Sequence, residues 1–467
     1  MRDVWIKKLG AHRGAPRLFL DAAQAARAGF APGERFEVRV DGQTVVIAKH
    51  PDGSRTVSAR RRGDEHLPVV DINSRELLAA FKGMDSVRVV VAEDRVYLLP
   101  LASEVKKRER LGRLARKVGQ GEPLAIGSLA HGGGVLAHAI HQGLTDAGMR
   151  AGLEFANELR DDLVEHAIRV HEAWQPDPAS GKRAAALVVP MQELVQDDWL
   201  MQRLPLLDIL EMGLPCSGAS KAGKSKRGLE KMEDHPEVGH LVFAALLILN
   251  RTQPAIVLLE NVPTYAETAS AQILRQQLRD MGYTTHEAVL EGKDFGCLEN
   301  RVRWVMVAAT HGVQFDFDRL APAVRIVRRI ADVLDPAIGP DDAKWSEMRG
   351  LKAKRERDAE RGNGFKMQIV EAEQTSVPTL RKGYHKGGST DPVLRHPDRP
   401  ELLRRFTSAE HARIKGVPDH LVEGLSETTA HQLLGQGIVY EPFRAVGQRI
   451  AERISEAIER IPELPQV

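Results

Sequence analysis

Residues 206–220 read LLDILEMGLPCSGAS: an apolar run that ends in a polar, glycine-rich turn carrying Cys216, one of only two cysteines in the chain. Residues 255–263, AIVLLENVP, repeat the form, with Glu260 and Asn261 where the apolar run stops. Short apolar runs without alternation read as strands buried on both faces. Working outward, residues 124–129, 152–156 and 303–308 read the same way, and helical patterns at 161–174 and 238–250 lie among them. Such alternation predicts an α/β fold, a parallel sheet covered by helices on both sides.

In open α/β sheets the reactive groups stand on loops at the carboxyl ends of strands. Cys216 follows one predicted strand and Glu260 follows another. A thiol on a polar turn can be poised to ionise, and a carboxyl at a buried strand end is partly desolvated. Together they make a nucleophile beside a general acid. Taken singly, each is more simply an inert buried thiol or a capping carboxylate.

Composition narrows the classes. The chain has 467 residues, 42% hydrophobic and 28% charged, which excludes disordered and fibrous proteins. Its longest apolar runs, such as 241–249, are about half of a bilayer span, and residues 1–10 carry charges where a secretion signal would be apolar. Neither membrane nor export is expected, and a cytoplasmic, nucleoid-associated protein is. Two cysteines are too few for a disulfide framework or a zinc knuckle, so no metal is expected. The 66 Lys and Arg against 64 Asp and Glu give a net charge of +2. Cut at Gln120, the chain separates into a basic first part, 24 cations against 15 anions, and an acidic remainder, 42 against 49. A basic front end is what a polyanion partner would meet.

That front end contains an internal repeat. Residues 35–47 (RFEVRVDGQTVVI) align with residues 86–98 (SVRVVVAEDRVYL) at an offset of 51. Both alternate apolar and polar residues around a short turn, as β-hairpins do, and short helical stretches at 22–29 and 74–81 precede them. The arrangement resembles the swapped-hairpin DNA-binding modules of the AbrB type. Residues 103–117 (SEVKKRERLGRLARK) then read as a basic amphipathic helix.

Three ordered motifs carry a second resemblance: Pro215-Cys216, Glu260-Asn261-Val262 and Arg301-Val302-Arg303. With residues 294–307 (DFGCLENRVRWVMV), 404–419 (RRFTSAEHARIKGVPD) and 434–438 (LGQGI), the chain over about residues 121–467 resembles the DNA cytosine-5 methyltransferases. The resemblance implies a Rossmann-like S-adenosylmethionine methyltransferase domain with a smaller target-recognition domain, acting on double-stranded DNA. It implies that Cys216 adds to carbon-6 of a flipped cytosine, Glu260 protonates the ring at N3, Arg303 holds the O2 and Arg301 supports the pocket. Ser220 falls where family members touch a phosphate. Arg381, Lys382 and Lys386 lie in the segment where the family reads DNA. The implied boundaries are a β-rich accessory domain at 1–102, a basic helical linker at 103–120, a catalytic domain at 121–315, a recognition domain at 316–425 and a returning C-terminal helix at 426–467. A monomer, with a cognate restriction endonuclease in the same cell, completes the expectation.

The donor site departs from the family pattern. The Asp-Leu-Phe-x-Gly-x-Gly-Gly pattern is met by Gly127-Ser128-Leu129-Ala130-His131-Gly132-Gly133-Gly134. Leu129 stands for the aromatic, and Gly132, Gly133 and Gly134 keep the room for close backbone approach. Glu158 resembles the acid that takes the ribose hydroxyls, with Glu154 as competitor. Pro215 and Gln436 complete the expected donor contacts. Ser217 replaces a common glutamine, and Gly435-Gln436-Gly437-Ile438 replaces Gly-Asn-x-Val. These departures leave two further readings open: a non-catalytic DNA-binding or regulatory protein on a degenerate methyltransferase fold, or a related enzyme using a different donor.

Overall fold

The structure, a computed structural model, describes residues 3–92, 95–176, 181–219, 228, 230–320 and 328–460. The chain divides into two compact units between Glu109 and Arg110, inside the helix Ala102–Gln120.

In the first unit both hairpins of the repeat form, Arg35–Asp41 with Thr44–Lys49 and Ser86–Ala92 with Arg95–Pro100. They join through their second strands, Val96 opposite Ile47, in a six-stranded sheet. Alternation places Val45, Ile47, Val87, Val89, Val96 and Leu98 on the buried face. A four-stranded sheet contains the exposed strand Ser58–Arg62 paired with Glu65–Asn73. The first expected helix forms as Ala22–Arg27, capped by Asp21. The second does not: residues 74–81 make only a 3-10 turn at Ala79–Phe81, too short a stretch to propagate a helix.

The second unit is built on a seven-stranded sheet. Its strands, labelled in chain order, are β1 Leu124–Leu129, β2 Ala151–Asn157, β3 Ala185–Leu187, β4 Ile209–Met212, β5 Ile256–Asn261, β6 Tyr283–Glu291 and β7 Val302–Thr310. Their order across the sheet is β3-β2-β1-β4-β5-β7-β6. Side-chain parity feeds two cores. Leu124, Ile126, Ile209, Ile256, Leu258, Val305 and Val307 face the helices Val135–Asp146 and Tyr440–Glu459. Leu129, Leu210, Met212, Val257, Leu259, Met306 and Ala308 face Leu241–Thr252 and Ala269–Asp280. The two-sided burial is as expected, but the sheet is mixed rather than parallel. β7 runs antiparallel to β5, and β6 antiparallel to β7. β7 is entered from the far edge of the sheet, which sets its first residues beside the last residues of β5.

The helix Ala102–Gln120 is not a free connector. Arg110 is fully buried and donates to Thr310 Oγ1 (2.5 Å), Gln253 Oε1 (2.9 Å) and the Met281 carbonyl (2.8 Å). Arg113 and Lys117 both bind the buried carboxylate of Asp208, at 3.1 and 2.7 Å. Three of the helix's seven basic residues therefore hold the second unit together. Between residues 330 and 414 lies a smaller core, where Val377, Leu380, Tyr384 and Phe406 pack with Leu298. The last helix, Tyr440–Glu459, lies against Val135–Asp146 so closely that a Cβ on Gly143 would stand 2.0 Å from the Arg444 carbonyl oxygen.

Candidate active site

The carboxyl ends of β1, β2, β4 and β5 and the start of β7 open on one cavity of about 520 Å³, within the range of small-molecule sites. Glu260 continues the parity of Ile256 and Leu258, and Arg303 that of Val305 and Val307, so both point to the same side of the sheet. With Glu260 opposite Val305, Arg303 lies one diagonal step away, and its Nε donates to Glu260 Oε1 at 2.6 Å. Asn261 points to the other face. Its Nδ2 donates to the Leu214 carbonyl at 3.0 Å and so pins the loop that presents Pro215 and Cys216 to the cavity.

Burial pushes the Cys216 thiol above its ordinary value, and the Glu260 carboxylate adds to this against the opposing pull of Arg303 and Arg301. Cys216 therefore rests as a thiol. Arg301 is buried and donates to the Gly435 carbonyl at 3.1 Å and the Gln436 carbonyl at 3.3 Å. It supports the loop 435–438 on the cavity wall. Behind it Glu299 pairs with Lys415 at 2.9 Å and accepts from the Leu380 N–H at 2.8 Å, which ties the segment around Leu380 to the wall.

On the opposite wall the glycine loop meets Glu158. One oxygen of Glu158 accepts from Gly132 N–H at 2.8 Å, the other from Leu159 and Arg160 N–H at 2.9 and 3.1 Å. Both oxygens keep lone pairs for a ligand. A Cβ on Gly133 would stand 2.2 Å from Leu433 Cδ1, so a larger residue here would push the Leu433 side chain aside. Glu154 instead pairs with Lys182 and lies outside this cavity.

Cys216, Glu260, Arg303, Arg301, Gly132, Gly133, Glu158, Pro215, Gln436 and Lys382 thus converge on one space. Other expected residues do not. Leu129 is fully buried in the core beneath the loop, and its neighbour Ala130 lines the cavity in its place. Gly134, at φ +79°, caps the helix Val135–Asp146 with His131 behind it, 2.8 Å from where a Cβ would stand. Arg381 pairs with Asp391 at 2.8 Å, and Lys386 is exposed in a 3-10 turn away from the cavity. Ser220 lies outside the described residues.

One group escaped the sequence reading. Glu211, on β4, is buried; burial raises its carboxyl to about 8, with a further push from Glu260. His131 Nδ1 stands 4.0 Å from it and 2.7 Å from Ser128 Oγ, under the glycine loop. An acid inside the apolar run 206–212 was the available signal.

A glycine loop and a ligand-ready carboxylate over this sheet, facing a thiol, a carboxylate and a guanidinium, define a group-transfer enzyme with a covalent nucleophile. The family model described as C-5 cytosine-specific DNA methylase matches residues 191–452, more than half of the chain. The chain belongs to that family and is a DNA cytosine-5 methyltransferase. It is 28% identical over 262 residues to the type II methyltransferase M.NlaX of Neisseria lactamica, covering 55% of this chain and 80% of that protein. It is 26% identical over 353 residues to the DNA-cytosine methyltransferase of Escherichia coli K12, covering 63% and 72%. The S. pombe Dnmt2 methyltransferase structure shares the fold, with a TM-score of 0.52 at 19% identity over 72% of this chain and 99% of that one. The family match begins downstream of β1, β2 and the glycine loop.

Proposed function

We propose that the cavity at the strand ends binds S-adenosylmethionine on the Glu158 side and a flipped cytosine of double-stranded DNA on the Cys216 side. The observation that carries this is the meeting of Cys216, Glu260 and Arg303 in the same space as the Glu158-anchored loop. The chain fits the donor: Gly132 and Gly133 leave room for it, and the fixed carboxylate of Glu158 suits a ribose diol. When bound, the donor supplies an electrophilic methyl group. Cys216 adds to carbon-6 as the Glu260 carboxylate takes the thiol proton and hands it on to N3, while Arg303 turns from Glu260 to the cytosine O2. The carbon-5 of the resulting enamine would take the methyl group as the donor leaves as a neutral thioether; solvent then removes the carbon-5 proton, the carbon–sulfur bond breaks, and the N3 proton returns through Glu260 to the departing thiolate, which restores the ring. A stacked base cannot reach Cys216, so the cytosine leaves the helix.

Lys382 on the cavity rim and the exposed Arg381 and Lys386 supply phosphate or base contacts. The enzyme acts as a monomer, and the type II name borne by M.NlaX makes a restriction endonuclease of the same site its proposed counterpart in the cell. Incubation with tritium-labelled donor and duplex DNA tests the assignment. Cys216→Ala is expected to abolish transfer and Glu260→Gln to lower kcat by about 10²- to 10⁴-fold. Transfer by Cys216→Ala at the wild-type rate would overturn it. Calorimetry with S-adenosylmethionine separates this reading from a different donor, since binding heat is expected here.

A further inference from the structure

Behind the glycine loop lies a second cluster, which the methyl transfer does not use. His138 on the helix Val135–Asp146, Glu172 in the 3-10 turn Glu172–Trp174 and His420 in the turn Asp419–Leu421 present side-chain atoms that all lie within 4.8 Å of one another. The Glu172 carboxylate bridges two imidazoles: one oxygen is 3.4 Å from His138 Nε2, the other 3.9 Å from His420 Nε2. In a tetrahedral zinc site, with bonds of about 2.0 to 2.2 Å, neighbouring ligand atoms are separated by about 3.3 to 3.6 Å. The His138–Glu172 pair already has that spacing, and the three ligand atoms, all within 4.8 Å of one another, come to it when the half-exposed His420 ring rotates toward the other two.

The surroundings are those of a metal site. The Tyr440 hydroxyl stands 2.6 Å from His138 Nδ1. When it accepts from Nδ1–H, the His138 Nε2 lone pair is left facing Glu172, the ligand-ready tautomer that an outer hydrogen bond enforces at metal centres. His420 Nε2 is shielded from solvent and has no hydrogen-bond partner. The His171 ring packs edge-on against His138, with centroids 4.7 Å apart, and fixes its plane. Glu172 is largely exposed, which gives an ion a way in and a water room to complete the shell.

We propose that His138, Glu172 and His420 form a site for a divalent transition metal of the zinc class, set by two imidazoles and a carboxylate with an open position. The bound ion joins three segments that are remote in sequence: the helix after β1, the turn that follows β2 and its helix, and the turn at 419–421. Its place in the molecule is structural. Beside it, His171 Cδ2 stands 3.3 Å from where a Cβ on Gly134 would lie, so the ion braces the back of the loop whose front lines the donor cavity.

The test uses the full chain, tag-free and stripped with chelator, titrated with Co²⁺ and followed by visible absorption, then challenged with Zn²⁺. The expected result is saturation at one Co²⁺ per chain, displacement by Zn²⁺ and a rise in Tm with either ion. Glu172→Gln and His420→Asn are expected to weaken Co²⁺ binding at least tenfold with unchanged circular dichroism, while Cys216→Ala binds as wild type. Because Glu172 is exposed, its variant decides the matter if the histidine variant fails to fold. Absence of saturable uptake, wild-type affinity in Glu172→Gln, or loss of uptake in Cys216→Ala would each overturn the proposal.

Discussion

The reactive thiol and the buried acid beneath it are both governed by desolvation, with different consequences. Cys216 gains from it: a protonated thiol in a dry pocket is protected until cytosine and Arg303 rearrange the charge around it. Glu211 only loses stability. Its carboxyl ionises near pH 8 when folded, against about 4.5 for an ordinary glutamate. Between those values the folded chain binds more protons than the unfolded one, so stability falls as pH rises through the window and the full cost is present above pH 8. Glu211→Gln removes the titration. The variant should match wild type near pH 5 and exceed it at pH 9 by several kcal/mol, in the direction the raised carboxyl sets. Urea unfolding at the two pH values checks this; a variant advantage equal at both would show that Glu211 does not titrate in that range.

Between elements, the decisive approaches are made by backbone rather than by long side chains. At Gly435 the loop that Arg301 supports meets residues 381–382, and an added Cβ would stand 2.3 Å from Lys382 N and 2.4 Å from the Arg381 carbonyl carbon. No rotamer relieves a contact with main chain. Gly435→Ala should therefore cost about 1 to 3 kcal/mol and displace residues 381–382 from the cavity rim, raising KM for DNA more than it lowers kcat. Steady-state kinetics with DNA varied at saturating donor separate the two; an unchanged KM would show that the loop yields without moving the rim. This scale also shows what the sequence could disclose. Five of the seven strands announce themselves as apolar runs, and Cys216 and Glu260 stand where two of those runs end; the edge strands β3 and β6, the one only three residues long and the other half exposed, do not. Strand direction leaves no mark on an apolar run, so the reversal of β7, which brings Arg303 to Glu260, was not legible. Leu129 was misplaced because it is still the last residue of β1, and the alternation it shares with Ala125 turns it into the core under the loop. The histidine and carboxylate ligands behind Gly134 lie too far apart in the chain for any spacing rule to join them.

Over the whole molecule the distribution of charge changes meaning once its partners are known. Arg110, Arg113 and Lys117 count toward the basic front end, yet they are spent on Thr310, Gln253 and Asp208 inside the second unit. The first unit, residues 1–109, holds 20 Lys and Arg against 15 Asp and Glu, a smaller excess than the cut at Gln120 gave. A modest excess steers DNA only where it is concentrated and free, and the strand Ser58–Arg62 offers that: Arg60, Arg61 and Arg62 are consecutive and exposed, and among the described residues none forms an ion pair. Each phosphate contact contributes about 0.9 to the slope of log affinity against log salt. If these arginines hold phosphates, replacing all three with Gln should flatten that slope by about 2 to 3 and weaken binding at low salt, while kcat at saturating DNA stays unchanged because the cavity is untouched. Fluorescence anisotropy over a salt series measures the slope, and an unaltered slope would mean that the first unit contributes no phosphate contacts through this strand.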